Sequence, residues 1–497
     1  MIAGILHSLL APDTILAILF GTIGGVVIGA LPGLTTTMAV ALLIPVTYGM
    51  NPTAAIVMLA AVYTASNTGS AIPAILIHTP GTPASAATVL DGYPLALKGQ
   101  GLKAIGVATI GSVIGGLASA LILLLLAPPL AKISLRFSAA EYFLMALFGL
   151  TIIGSLASES MIKGLTAGVF GLMVGLVGLS NNGYIRYSFG IMSLTSGIDM
   201  VPAMIGLFSL TQVLTQVEAI EAADAIMQDA AKVRGSFFPT WEEFRRLIPC
   251  FIRATLIGAF VGILPGAGGD VASWVAYNEE KRASKHKELF GTGLLEGVAA
   301  PETSNNALTG CALIPTLTFG IPGSATCAVI LGGLTVQGLV PGWQLFTTYA
   351  HVTYAIIIGF FIANFLMGVF TWLAARPIVK ATQVPTAIMM PIIVVLAVVG
   401  SFAMGNTMYP VYIMVIFGGI GFFMHKFGFS PAPTVLALIL GPMAEKSLSQ
   451  AIMMSKVPIL RYFFTRPLSL VIMAIILLTL ISPIISRHRK QKKARSS

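Results

Sequence analysis

Charge is what this chain most lacks. Of its 497 residues only 9% are Asp, Glu, Lys or Arg, against about 25% in a water-soluble domain. Two stretches, from Thr14 to Leu90 and from Thr303 to Ala375, carry none at all. A soluble domain does not keep segments of that length uncharged, so most of the surface is expected to face hydrocarbon. Cysteine is scarce too. Cys250, Cys311 and Cys327 leave an odd thiol and form no Cys-x-x-Cys, which argues against a disulfide framework and a zinc site. His-Glu-x-x-His, Gly-x-Ser-Gly and Gly-x-x-x-x-Gly-Lys-Ser/Thr are all missing. The chain is therefore expected to be no enzyme, and any uphill work must draw on an ion gradient or another subunit.

What is present is apolar. The hydrophobic share is 56% and the mean hydropathy is +0.92. One bilayer crossing takes roughly 20 apolar residues, so the length allows about ten to twelve spans. The expected fold is an all-α polytopic integral membrane protein in a lipid bilayer. The net charge of +10 does not point to nucleic acid, because Arg487, Arg489, Lys490, Lys492, Lys493 and Arg495 form a terminal basic run with no aromatic platform beside it. Such a run after an apolar helix marks the cytoplasmic side, which places the C-terminus there. The apolar N-terminal run has no Lys or Arg before it, so a retained first helix is expected rather than a cleaved signal peptide.

The chain divides into residues 1–217, a charged amphipathic linker 218–246, residues 247–450, and an interfacial segment with the last span and basic tail, 451–497. The first and third parts repeat one another. Leu31-Pro32-Gly33 matches Leu264-Pro265-Gly266, Ile72-Pro73 matches Ile314-Pro315, and Pro80-Gly81-Thr82 matches Pro322-Gly323-Ser324. Thr68-Gly69 and Thr309-Gly310 correspond with a slip of one residue. Proline removes a backbone donor and glycine admits turns closed to other residues. Inside a bilayer such breaks survive only where protein or a wet cavity covers them. Close-packed kinked helices account for one isolated Pro-Gly; a duplicated, ordered series points instead to broken helices or re-entrant hairpins around a transport site. Inverted repeats are expected.

A short helix restarting after Pro-Gly offers free N–H groups and the positive end of its dipole. An anionic solute can be held there without a buried cation. Candidate substrate-binding residues are Pro32, Gly33, Thr35, Asn67, Thr68, Gly69, Ser70, Pro80, Gly81 and Thr82 in the first repeat. In the second they are Asn305, Asn306, Thr309, Gly310, Pro322, Gly323 and Ser324. Unwound carbonyls at the same breaks can coordinate Na⁺. Asp270, Glu302 and Glu296 are acids in apolar context and thus candidates for the coupling-ion site, either carrying a proton or ligating a cation. His78 is a further candidate contact, with packing as the competing role. Gly268-Gly269-Asp270 resembles part of an intramembrane aspartyl protease motif, but Ala267 breaks the pattern and no Tyr-Asp partner exists, so a hydrolase is a remote alternative.

At these motifs the chain resembles the large membrane subunit of the tripartite tricarboxylate transporters, the TctA family. The resemblance rests on Gly29–Thr35, Asn67–Pro73 leading to Pro80–Pro83, Gly197–Pro202 leading to Gly206–Phe208, Leu264–Gly268, Pro301–Ala307, and Ile314-Pro315 leading to Phe319–Ser324. It implies a bacterial inner-membrane subunit working with a small membrane subunit of about four spans and a periplasmic solute-binding protein. It implies secondary import of citrate or another di- or tricarboxylate, coupled to Na⁺ or H⁺, with no further cofactor. An anion channel or ungated facilitator built on the same helix ends is the alternative reading.

Overall fold

The computed structural model describes residues 2–151, 161–180, 183–218, 235–266, 268–381, 384, 386–455 and 457–479. Ala267, residues 152–160, the linker from 219 to 234 and the basic tail lie outside them. Helices dominate the described residues, and the single sheet there is a two-residue antiparallel pair, Gly178–Leu179 with Ile185–Arg186. Eight described helices are long and apolar enough to cross a membrane, and five shorter apolar helices accompany them. This is a multi-pass membrane protein. Leu295–Phe319 is as long as a span but too polar to count among the eight, because Glu302, Asn305 and Asn306 sit within it.

Two compact units emerge. One comprises Met1–Ala131 with Val201–Lys426, the other Lys132–Met200 with Phe427–Ser497. The first holds the repeat, and its helices follow one order twice. Pro12–Ala30, Thr36–Thr47, Pro52–Leu76, Ala86–Leu97 and Gly101–Ser134 run to 19, 12, 25, 12 and 34 residues. Trp241–Ile263, Gly268–Ala283, Leu295–Phe319, Ala325–Val336 and Ala350–Ala381 run to 23, 16, 25, 12 and 32. The elbows match in detail. Leu31 and Leu264 close their helices by donating N–H to Ile28 and Val261, and Gly33 and Gly266 both take φ +79°, a left-handed turn that glycine adopts without steric cost.

The middle helix of each repeat, Pro52–Leu76 and Leu295–Phe319, is its core helix. Nearly every residue of both is buried. Packing fixes their register: Gly25 abuts the Val62 carbonyl, and its counterpart Gly258 abuts that of Ser304. At the C-terminal ends, the amides of Thr79 and Ile321 donate to Pro73 and Pro315. Thr64 therefore corresponds to Asn306, Tyr63 to Asn305, Ala60 to Glu302 and Asn67 to Thr309. The one-residue slip read from Thr-Gly pairs disappears, because prolines and packing glycines, not Thr-Gly, hold the register.

The core helices run in opposite directions. Thr36–Thr47 and Ala325–Val336 lie side by side and parallel, joined at their starts by Thr37 Oγ1 and Thr326 Oγ1 (2.9 Å) and at their ends by the Gln337 amide to the Thr47 carbonyl (2.8 Å). The first of these short helices starts level with Asn67 and returns to the beginning of its core helix. The second leaves Ala312 and advances with its own, since the Gly342 amide reaches the Leu317 carbonyl. The two repeats are thus inverted.

In the second unit, Ala432–Met454 packs on Ala139–Thr151 and Met161–Gly175. Its buried acid, Glu141, is fully met. One oxygen accepts from Arg466 (2.7 Å) and Ser469 (2.6 Å), the other from the Ser138 amide and hydroxyl (2.8 and 2.7 Å).

Candidate functional site

Where the core helices cross, equivalent residues touch. The Thr64 hydroxyl lies 3.1 Å from Asn306 Oδ1 and 2.6 Å from Asn364 Oδ1. Contact between equivalents is what a local two-fold axis requires. A hydroxyl has one proton, and the shorter contact gives it to Asn364. In either orientation one end of the Asn306 amide has no partner. Asn364 is further fixed by donating to the Phe360 carbonyl, 2.8 Å.

Polar groups extend from this crossing in both directions. Thr36 donates to Asn67 Oδ1 at 2.7 Å, and the hydroxyls of Tyr63 and Ser324 hydrogen-bond at 3.2 Å, either one donating. Ser324 also caps the helix behind it by accepting from the Cys327 amide. Ser70 Oγ contacts Thr82 and Ser85 at 3.2 and 2.6 Å. The second elbow is tied to its hairpin by the Gly266 amide, which donates to the Gly323 carbonyl (3.0 Å), and in the first repeat the Gly81 amide ties the hairpin back to the core helix at the Ser70 carbonyl (3.4 Å). Pro32, Gly81, Thr82, Pro322, Gly323 and Ser324 are buried, while Gly33, Thr35 and Pro80 are partly so. The breaks are therefore covered by protein, as unpaired backbone in a membrane demands.

Beside the crossing the second core helix carries Glu302 and Asn305. Glu302 is 0% exposed. The Thr88 hydroxyl donates to its Oε1, and its Oε2 has no partner. Asn305 is 1% exposed and its Nδ2 is likewise unpartnered. The Asn305 oxygen lies against Gly269, in the first turn of Gly268–Ala283, where free amides favour an oxygen. That fixes the nitrogen on the other side. Buried polar atoms are nearly always paired, so three unsatisfied ends at positions 302, 305 and 306, on one face of one helix, mark this face as built for something the chain does not itself supply.

Of the expected residues, Ser70 meets Thr82, Asn306 meets Thr64 of the other core helix, Ser324 meets Tyr63 and Glu302 meets Thr88, while Asn67 bonds Thr36 and Asn305 lies against Gly269. Thr68, Gly69, Thr309 and Gly310 serve helix packing: Thr68 donates to Met367 Sδ, Gly69 abuts the Val26 carbonyl, Thr309 donates back to the Asn306 carbonyl, and the Gly310 amide donates to Ser119 Oγ. Asp270 is exposed, and Glu296 is held by Arg246 at 2.7 Å. His78 is exposed at φ +57°, edge-on to Tyr93.

Sequence reading missed Tyr63, Thr64, Thr36, Thr88 and Asn364. Asn364 carries a usable signal, an amide alone in an apolar window. Tyr63 and Thr64 lie one turn before Asn67 on the same helix, and a helical projection would have found them. Asp91 was missed as well. Its carboxylate accepts from Tyr277 (2.8 Å) and from the amides of Gly291, Gly293 and Leu294 (3.0, 2.8 and 2.8 Å), so it caps the second core helix from across the repeat. Among the described residues no group of three His, Cys, Asp or Glu is arranged to hold a metal.

No solved structure matches this chain. A protein of Agrobacterium vitis described as an uncharacterized 52.8 kDa protein in the TAR-I ttuC' 3'region is 34% identical over 470 residues, 94% of this chain and 93% of its own length. A second Agrobacterium vitis protein, described as an uncharacterized protein in the TAR-II ttuC' 3'region, is 35% identical over 199 residues, 40% of this chain and 82% of its own. The family model for the tripartite tricarboxylate transporter TctA family matches residues 15–436, a range that covers nearly all of both inverted repeats and contains Thr64, Glu302, Asn305 and Asn306. The chain belongs to the tripartite tricarboxylate transporter TctA family.

Proposed function

We propose that this membrane subunit imports organic di- or tricarboxylates of the citrate class across the bacterial inner membrane, driven by an ion gradient. Its partners are a small membrane subunit and a periplasmic solute-binding protein that delivers the acid. The observation that carries this reading is the unsatisfied polar face at 302, 305 and 306, set where two inverted repeats cross and flanked by the helix starts at Thr36 and Ala325. Among the described residues no Lys or Arg contacts this face. A carboxylate ligand would then be held by amide and hydroxyl donors and by helix ends, which bind anions without a permanent buried cation. Asn67, Ser70, Thr82, Asn305, Asn306 and Ser324 form the substrate cradle, with Gly33, Gly81 and Gly323 supplying the close backbone turns.

Of the three acids, Glu302 is assigned as the coupling group. Asp270 is open to its surroundings and Glu296 is engaged by Arg246. The basic tail would lie on the cytoplasmic side. The test is uptake of radiolabelled citrate in vesicles containing the chain with both partners. Asn306→Gln and Ser324→Val should each cut uptake severely while the protein remains folded. Uptake at wild-type rate in both variants overturns the placement.

A further inference from the structure

Two buried glutamates show how this chain treats a carboxylate. Glu141 accepts four hydrogen bonds, one from Arg466, and its charge is matched. Glu302 has the Thr88 hydroxyl alone, no cation, and one oxygen without any partner. Leaving a bare carboxylate in that setting costs several kcal/mol, so the resting group is the neutral acid. The other charged and titratable groups on the packed elements do not offset it. Tyr63 is bonded to Ser324, Tyr277 to Asp91, Arg253 to Glu280, Lys103 to Glu243 and Arg246 to Glu296; Cys250 faces the Glu296 carbonyl. Arg282 pairs with Glu279, Cys311 and Cys327 are thiols, and Glu242, Arg245, Asp270 and Lys281 are exposed.

A neutral Glu302 carries an O–H, and no acceptor lies within reach of Oε2. Asn305, one turn on, presents N–H groups that also lack an acceptor. A metal cation satisfies neither, because both groups are donors. A substrate carboxylate satisfies both. Deprotonated Glu302 would instead repel it, at a separation where like charges cost more than either hydrogen bond returns.

Resting on the transport reading above, we infer that the coupled ion is a proton, that Glu302 carries it, and that substrate carboxylate binds the Glu302–Asn305 face only while Glu302 is protonated. One O–H bond forms at Oε2 on the loading side and breaks on the release side; nothing is oxidised or reduced. Proton and substrate then stabilise each other reciprocally, which is the condition for obligatory symport.

The test uses the purified full-length chain in nanodiscs and citrate at alkaline pH, where citrate's own carboxyls are ionised. Calorimetry in buffers of different ionisation enthalpy should register uptake of about one proton per citrate bound, with affinity falling about tenfold per pH unit. Glu302→Gln, a permanent mimic of the neutral acid, should bind citrate with the pH dependence gone. In vesicles with the partner subunits it should exchange citrate yet lose proton-driven accumulation. Citrate binding by the wild type without proton uptake, or dependent on Na⁺, overturns the inference even if Glu302→Gln fails to fold. Undiminished citrate binding by Asn306→Gln and Asn305→Leu would sink the site reading itself, a separate failure. If the wild type binds no citrate, both fall together.

Discussion

At the crossing of the repeats the first core helix offers Ala60, Tyr63 and Thr64, and the second offers Glu302, Asn305 and Asn306 at the same positions. The partner of Glu302 is Thr88, whose own equivalent in the second repeat is Ile330. One copy of the fold thus sets an alanine opposite an isoleucine where the other sets an acid opposite a hydroxyl. Backbone symmetry is kept because every elbow, cap and close glycine contact depends on it. Side-chain symmetry is abandoned, and a second buried acid at position 60 would double the cost of burial. The helix starts differ in the same spirit. The first core helix is capped by its own Asn51 (2.9 Å to the Thr53 amide), the second by Asp91 from the other repeat.

The most severe way to break this asymmetry is to copy the acid. Ala60→Glu buries a carboxylate with no hydroxyl opposite it and overfills a closed site, so it should destabilise by roughly 4 kcal/mol or more, read as loss of folded protein in detergent. Adding Ile330→Thr should recover about 1 kcal/mol of that. Asp91→Ala removes the cross-repeat cap and leaves three amides and the Tyr277 hydroxyl without an acceptor. A loss of about 3 kcal/mol is expected, seen as a lower thermal midpoint in nanodiscs, whereas Asn51→Ala should cost only about 1 kcal/mol. An equal effect of the two would mean that the caps are interchangeable after all.

At the axis, Asn306→Leu should lower citrate uptake about 100-fold, since the substrate would face an apolar group in place of a hydrogen-bond partner. Thr64→Val should lower it only about fivefold, the worth of one ordinary hydrogen bond. The reverse order of severity would put the substrate on the first repeat. The smallest effect concerns His78, which takes a left-handed φ where its equivalent is Gly320 at +71°. His78→Gly should stabilise the chain by about 0.5–1 kcal/mol and leave uptake unchanged; a fall in uptake would give His78 a role beyond its edge contact with Tyr93.

The scarcity of charge and the ordered Pro-Gly series settled much from the sequence alone: membrane burial, the repeat, and the chain breaks at Pro32-Gly33, Pro80-Gly81 and Pro322-Gly323. These are legible because their cause is local. A missing backbone donor or a left-handed glycine acts on the chain wherever it lies, and only covered backbone tolerates it inside a bilayer. The pairings of Glu296 with Arg246 and Asp91 with the 291–294 amides could not be read that way, nor could the alignment of Thr64 with Asn306. These partners are distant in sequence and meet only when helices pack. Which of three plausible acids is buried without a cation is a property of its surroundings. The tertiary structure alone decided that it is Glu302.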